Sequence, residues 1–283
     1  MNVNVIKKSG ESILFDPEKL KQSLEKSGAG VSDIELILGK IENELFDGIT
    51  TGKIYRSAYA SLKKISSGAA GRYRLKEAIM ELGPTGFPFE KFVGELLKYQ
   101  GYQVQTGVIV KGRCVSHEVD VIARKDNKVL MLECKFHATP GKKSDVKISL
   151  YINSRFEDIK NRMKEERGDN GKILGFRGGL VTNTKFTKDA NDYGICAGLK
   201  MISWDSPLNG SLRRRIDISG LFPITCLYSL KKAEKKHLIE RNVVMCKELC
   251  ADESLIKDLG VTQNRFNRIR NEVRAICNSK THV

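Results

Sequence analysis

Residues 117–137 read His117-Glu118-Val119-Asp120-Val121-Ile122-Ala123-Arg124-Lys125-Asp126-Asn127-Lys128-Val129-Leu130-Met131-Leu132-Glu133-Cys134-Lys135-Phe136-His137. Two β-prone runs flank Asp126-Asn127, a pair that tolerates the positive φ a two-residue hairpin turn requires. The spacing predicts antiparallel strands in a register that sets Asp120 opposite Glu133 and Glu118 opposite Lys135. Strand side chains alternate. One face should therefore carry Val119, Val121, Ala123, Leu130, Leu132 and Cys134. The other should carry Glu118, Asp120, Glu133 and Lys135 at one end. Opposed residues have Cβ atoms roughly 4.5–5.5 Å apart. Two carboxylates that close repel unless a cation or a proton neutralises them. A divalent metal beside an ammonium resolves the repulsion, and the same grouping suits phosphodiester hydrolysis.

Each residue type has a part in that chemistry. Mg²⁺ (or Mn²⁺) takes carboxylate oxygens and keeps several waters, one of which can attack. Lys135 would orient that water or stabilise charge developing on the phosphate. A third carboxylate could complete the metal shell, and Glu95 is the candidate, on the apolar-periodic stretch 89–99.

Asp120 followed by Glu133-Cys134-Lys135 resembles the D…(E/Q)-x-K core of the PD-(D/E)XK nucleases. Phe89-Glu90-Lys91-Phe92-Val93-Gly94-Glu95-Leu96-Leu97 with Gly101-Tyr102 is similar to the first helix of the Mrr-like restriction endonuclease branch. Thr182-Asn183-Thr184-Lys185-Phe186-Thr187 and Ile202-Ser203-Trp204-Asp205 resemble that branch's later strand, helix and strand. The resemblance covers 83–222. It implies a metal-dependent DNA endonuclease of restriction or defence type, with Asp120, Glu133 and Glu95 on the metal and Lys135 serving the water and transition state. His117 and His137 flank the hairpin. A His-Glu-x-Asp and Glu-x-Lys-Phe-His pattern is similar to that of Mrr-like proteins bearing an ATP-cone, which implies substrate or supporting contacts for both. Glu118 would hold Lys135 in place.

Residues 3–6 and 11–15 read as a hairpin turning at Ser9-Gly10, followed by Asp16-Pro17 as N-cap and first residue of a helix. Ser32-Asp33-Ile34-Glu35 reads as a capping box opening a second helix, and helical stretches follow over 51–66 and 70–82. The start Val5-Ile6-Lys7-Lys8-Ser9-Gly10, with Phe15, Lys19 and Tyr73, resembles the ATP-cone, a nucleotide-binding regulatory module. Lys replaces the usual Arg at 8, and Ser the usual Asp or Asn at 9. The resemblance implies that ATP or dATP binds as a regulatory ligand through Lys7, Lys8, Lys19 and Tyr73. No P-loop motif is present.

The 283 residues suit one to three domains. The net charge of +15 is uneven. There are 13 basic against 11 acidic side chains in 1–82, 24 against 16 in 83–222, and 12 against 7 in 223–283. A basic excess in the middle and last segments points to a polyphosphate partner such as DNA or RNA. No leader-like or membrane-spanning apolar run is visible. Seven scattered cysteines without a C-x-x-C pair suggest packed thiols in a reducing cytoplasm.

Two Gly and two Pro in Leu82-Gly83-Pro84-Thr85-Gly86-Phe87-Pro88 mark a boundary. The expected organisation is an ATP-cone over 1–82, a nuclease domain over 83–222 and a helical region over 223–283. In fold class this is α+β to α/β and multidomain: a small helical module with a β-hairpin, a restriction-endonuclease-like mixed sheet flanked by helices, then a helical tail. A helix is predicted from Asp145 to about Arg167, where Lys147, Arg155, Lys160 and Arg162 could face a phosphate backbone. Trp204 reads as a core anchor. The tail, with its Leu259-Gly260-Val261 turn, serves DNA binding or dimerisation equally well. The expected partners are DNA and a nucleoside triphosphate, with a homodimer for double-strand cleavage. The competing readings are a nucleotide-sensing DNA-binder that does not cut and an RNA-processing nuclease.

Overall fold

The computed structural model describes residues 3–7, 9–167 and 175–278. Two compact units are formed, and both are discontinuous in sequence. One comprises Met1–Ala78, Ile224–Leu238 and Cys246–Val283, the other Ile79–Pro223 and Ile239–Met245.

The first unit opens with β1 (Asn4–Ile6) and β2 (Ser12–Leu14), the expected hairpin. Helix α1 (Pro17–Lys26) is capped by Asp16, whose carboxylate accepts from the Glu18 and Lys19 amides at 3.0 and 3.4 Å. Helix α2 (Val31–Glu44) buries Ile34, Ile37 and Ile41 at helical spacing. It starts before the expected capping box, with Gly30 as N-cap and no side-chain cap bond, because Ser32 already lies in the first turn. Strand β3 (Ile49–Thr50) adds parallel to β1, and α3 (Thr51–Ile65) follows at once. The helix expected over 70–82 is two shorter ones, α4 (Ser67–Tyr73) and α5 (Leu75–Met80), divided at Arg74.

The second unit begins with α6 (Phe87–Tyr99). Strands β4 (Gln103–Lys111), β5 (Ser116–Lys125) and β6 (Lys128–Lys135) form an antiparallel meander. After β7 (Lys143–Ser144), the long helix α7 (Val146–Arg167) leads to β8 (Phe176–Thr182), parallel to β6. Then come β9 (Lys185–Phe186), α8 (Lys188–Cys196), β10 (Lys200–Ile202) and α9 (Leu212–Ser219). The five-stranded sheet has the order β10-β8-β6-β5-β4. Leu130, Met131 and Leu132 are buried in succession, so both faces of the sheet are covered. Trp204 is buried as expected.

The chain then returns to the first unit. Helices α10 (Lys232–Glu240), α11 (Cys246–Ala251), α12 (Ser254–Lys257) and α13 (Gln263–Cys277) follow a short 3-10 turn over Ile224–Cys226. The helical region expected over 223–283 is present, and most of it packs into the first unit. A Cβ on Gly68 of α4 would lie 2.6 Å from the Ala275 carbonyl of α13, so the two backbones touch. Short helices such as α11 and α12 cannot enclose a core of their own, and α4 supplies the missing wall.

The β5–β6 hairpin has the register read from sequence, with Lys125 opposite Lys128 and Val121 opposite Leu132, and Asp126 has φ of 52° at the turn. The expected division of faces holds only near that turn. On the other side of β5, the ladder joins Thr106 to Val121 and Val108 to Val119 but skips Gly107 and Asp120. Gly107 has φ of 61°, which turns β4 over at this point. Val104 and Thr106 lie against Gly94 of α6, whereas Val108 and Val110 pack with Ile152, Phe156 and Ile159 of α7. Val119 accordingly joins Ile122 and Met131 in that cluster rather than sharing the face expected for Val121 and Ala123.

Candidate active site

The site forms where β5 and β6 part. Beyond Val121 and Leu132 the regular pairing stops. Asp120 Oδ2 accepts the Cys134 amide at 2.6 Å, taking the place of the carbonyl that a continued ladder would supply. Glu133 Oε2 accepts from Arg155 Nη1 of α7 at 2.8 Å. The same Nη1 donates to the Glu118 carbonyl at 3.0 Å, and Nη2 donates to the Tyr151 hydroxyl at 3.0 Å. The guanidinium carbon lies 4.9 Å from the Tyr151 ring centroid. The backbone of Lys135 is held by Thr182, whose hydroxyl donates to its carbonyl at 2.8 Å.

The electrostatics follow from crowding acids in a half-buried place. Burial, then the charge of Asp120, raises the Glu133 carboxyl to about 7, against the pull of Arg155 and Lys135. Asp120 is also raised, chiefly by burial, with the Cys134 amide opposing. Glu90 on α6 is raised to about 7 by burial and then by Asp120, Glu118 and Glu133. Asp120, Glu133, Glu118 and Lys135 are thus brought together as expected, and Glu90 joins them.

Glu95 does not. It pairs with Lys98 at 2.6 Å and lines a separate cavity of about 270 Å³ with Phe87, Lys91, Val104 and Asn242. Helix α6 starts at Phe87 and presents its first turn to the site, and five residues further on Glu95 points well round the helix. Pro88 inside the first turn was the available signal for that start.

Among the described residues no three His, Cys, Asp or Glu side chains are grouped to hold a metal ion. Asp120 and Glu133 still offer two hard oxygen donors, and burial raises the pKa of both carboxyls, which a bound cation would counter. A Mg²⁺ ion bound by one or two carboxylates with water in the remaining positions fits that donor set.

The two histidines have other attachments. His117 Nε2 lies 2.8 Å from Asp158 Oδ2. That carboxylate also accepts from the Cys114 amide at 2.9 Å and is lowered to about 2, mainly by the His117 hydrogen bond. His137 is buried, with Nε2 2.9 Å from the Ser144 hydroxyl, and Asn183 bonds both its amide and its carbonyl, at 2.8 and 2.9 Å. Both histidines brace the ends of the hairpin.

In the first unit a cavity of about 210 Å³ is lined by Phe15, Lys19, Tyr55 and Tyr73, with Val5 and Ile54 behind. The Tyr55 and Tyr73 rings stack with centroids 4.9 Å apart, and burial raises Tyr73 to about 12. Of the residues expected to take a nucleotide, Lys19 and Tyr73 meet here. Lys7 instead pairs with Glu11 at 3.0 Å, and Lys8 lies outside the described residues. No helix among the described residues is long and apolar enough to cross a membrane.

Residues 222–277 match the family described as AF1548-like, C-terminal. An uncharacterized protein of Archaeoglobus fulgidus is 30% identical over 186 residues, spanning 65% of this chain and 99% of that one. The crystal structure of the protein of unknown function AF1548 superposes with a TM-score of 0.56 and 28% identity, over 69% of this chain and all of that one. Can2 from Sulfobacillus thermosulfidooxidans, in complex with cyclic tetra-adenylate, aligns with a TM-score of 0.34 and 15% identity, over 71% of this chain and 54% of that one. MspJI restriction endonuclease, in complex with a 27-mer oligonucleotide, aligns with a TM-score of 0.31 and 15% identity, over 53% and 33%. The last two scores are too low to establish a shared fold.

Proposed function

The chain belongs to the AF1548-like family, and we propose that its site is that of a metal-dependent DNA endonuclease of restriction or defence type. The observation that supports this most is the meeting of Asp120, Glu133 and Lys135 at the parting of two strands, with Glu133 raised to about 7. Two half-buried acids beside an ammonium, with pKa values raised by burial and by neighbouring carboxylates, are the kind of grouping that favours a functional site.

In this reading Asp120 and Glu133 hold Mg²⁺ or Mn²⁺, which when bound supplies Lewis-acid stabilisation of the phosphate. Asp120 is a rigid ligand because the Cys134 amide fixes one of its oxygens. Lys135 sets its ammonium beside the attacked phosphate, where developing charge is stabilised. Glu90, titrating about 7, can accept a proton near neutral pH. The basic excess of the chain fits a DNA partner. ATP or dATP regulates the enzyme from the cavity around Lys19 and Tyr73, and a homodimer supplies the two cuts of a double-strand break.

Cleavage of plasmid DNA with and without Mg²⁺, across ATP and dATP, tests this with wild type beside Lys135→Ala. Metal-dependent cutting that the variant loses supports the enzyme, and a change in rate with nucleotide supports its regulation. A second reading, a nucleotide-sensing DNA-binder that does not cut, draws on the Arg155 guanidinium that already engages Glu133. DNA binding with no cutting of methylated or unmodified plasmid would favour it. Preference for RNA in competition would favour an RNA-processing nuclease. Sedimentation of a single copy on DNA would remove the dimer.

A further inference from the structure

Arg155 was one of four basic residues of α7 that the sequence could only place near a phosphate backbone. Its surroundings single it out. The side chain is only 15% exposed, and Nη1 is shared between Glu133 Oε2 and the Glu118 carbonyl. Nη2 bonds the Tyr151 hydroxyl, and Tyr151 itself is 60% exposed. Nε is buried and has no hydrogen-bond partner. A buried N–H of a charged group rarely stays unsatisfied, and an absent anionic or water ligand is the usual reason. A guanidinium offers its donors in a planar fork that matches two phosphate oxygens.

We propose that Arg155 is a substrate-binding residue, a clamp that swings out of its contact with Glu133 to take a DNA phosphate oxygen, its buried and unpartnered Nε gaining a partner by the move, while the exposed Tyr151 steadies the guanidinium from the solvent side. This rests on the nuclease reading for the identity of the substrate. The same geometry gives Arg155 a second consequence. It is hydrogen-bonded to Glu133 at 2.8 Å, so it would compete with a divalent ion for that carboxylate. As substrate arrives, Arg155 turns its charge toward the phosphate and leaves Glu133 free to meet the metal.

Binding of a fluorescent duplex oligonucleotide, measured by anisotropy in EDTA, tests the clamp without any cleavage. Arg155→Gln should weaken binding about tenfold to a hundredfold, the size expected for a lost charge-assisted hydrogen bond. Arg155→Lys, which keeps the charge and the reach to Glu133 but not the fork, should fall between. Titration calorimetry with MnCl₂ alone should show tighter binding in Arg155→Gln than in wild type. Unchanged DNA affinity in both variants overturns the clamp, and so does a loss in Arg155→Gln that Arg155→Lys fully restores, since bare charge would then suffice. If Arg155→Gln does not fold, Arg155→Lys alone decides by the same measure. Failure of wild type to cut any DNA would defeat the nuclease reading while leaving the binding comparison in force.

Discussion

The two ends of one hairpin behave as different materials. Near the turn, Ala123, Leu130 and Leu132 are fully paired and buried, and the ladder runs without interruption from Val121 to Lys125. At the other end the pairing fails within one residue, and the side chains become Asp120, Glu133 and Lys135. Hydrogen bonds and apolar contact stabilise the first end. Buried, mutually repelling acids strain the second. If the proposed site is right, stability and chemistry are divided along a single pair of strands, and each should be open to disturbance without the other.

The largest effect should come from removing the ammonium at the open end. Lys135→Ala should lower DNA cleavage about 10²–10³-fold, the usual cost of one electrostatic donor, while thermal unfolding stays near that of wild type. A cleavage rate left intact would break the division. At the closed end Leu132→Ala should destabilise the fold by about 2–5 kcal/mol in denaturant titrations, with cleavage per folded molecule retained. A third test uses pH. Glu133 and Glu90 have carboxyls raised from 4.5 to about 7, so the folded protein binds more protons than the unfolded chain between those values. Metal-free stability should fall as pH rises through that window, by on the order of 1–3 kcal/mol after allowing for partial exposure, and saturating Mg²⁺ should remove the fall. Calorimetric melting in EDTA and in Mg²⁺ reads both slopes, and a metal-free melting point that rises across the window would count against strained acids. The smallest effect is at the kink. Gly107→Ala meets open space but must hold a φ of 61°, so it should cost about 1 kcal/mol of stability in chemical denaturation.

The closed end was readable because its signals are local. Asp126-Asn127 sets the turn, the turn sets the register, and the register brings Asp120 toward Glu133. The open end was only half readable. Gly107 inside a strand pattern was a sign of irregularity, but nothing nearby says that it lies opposite Asp120. Glu90 and Glu95 share one helix, and choosing between them requires the phase of α6 against a sheet far along the chain. Arg155 looks like its basic neighbours until Glu133 is placed beside it. The joining of α4 to α13 is a contact between residues some two hundred positions apart, beyond the reach of periodicity or capping rules.

That last contact bears on how the protein is made. Gly68 must meet Ala275, and Arg72 donates from Nε to the Ser27 carbonyl at 2.6 Å and from Nη1 to Ala275 at 3.5 Å. The α4 segment therefore waits for a partner made some two hundred residues later. Translation runs at about 5–20 residues per second, so Gly68 and Gly71 of α4 spend roughly ten seconds or more without the α13 residues they pack against. The sheet-bearing unit, Ile79–Pro223 with Ile239–Met245, is made in full before α13. Synthesis thus completes the five-stranded sheet before α4 meets α13.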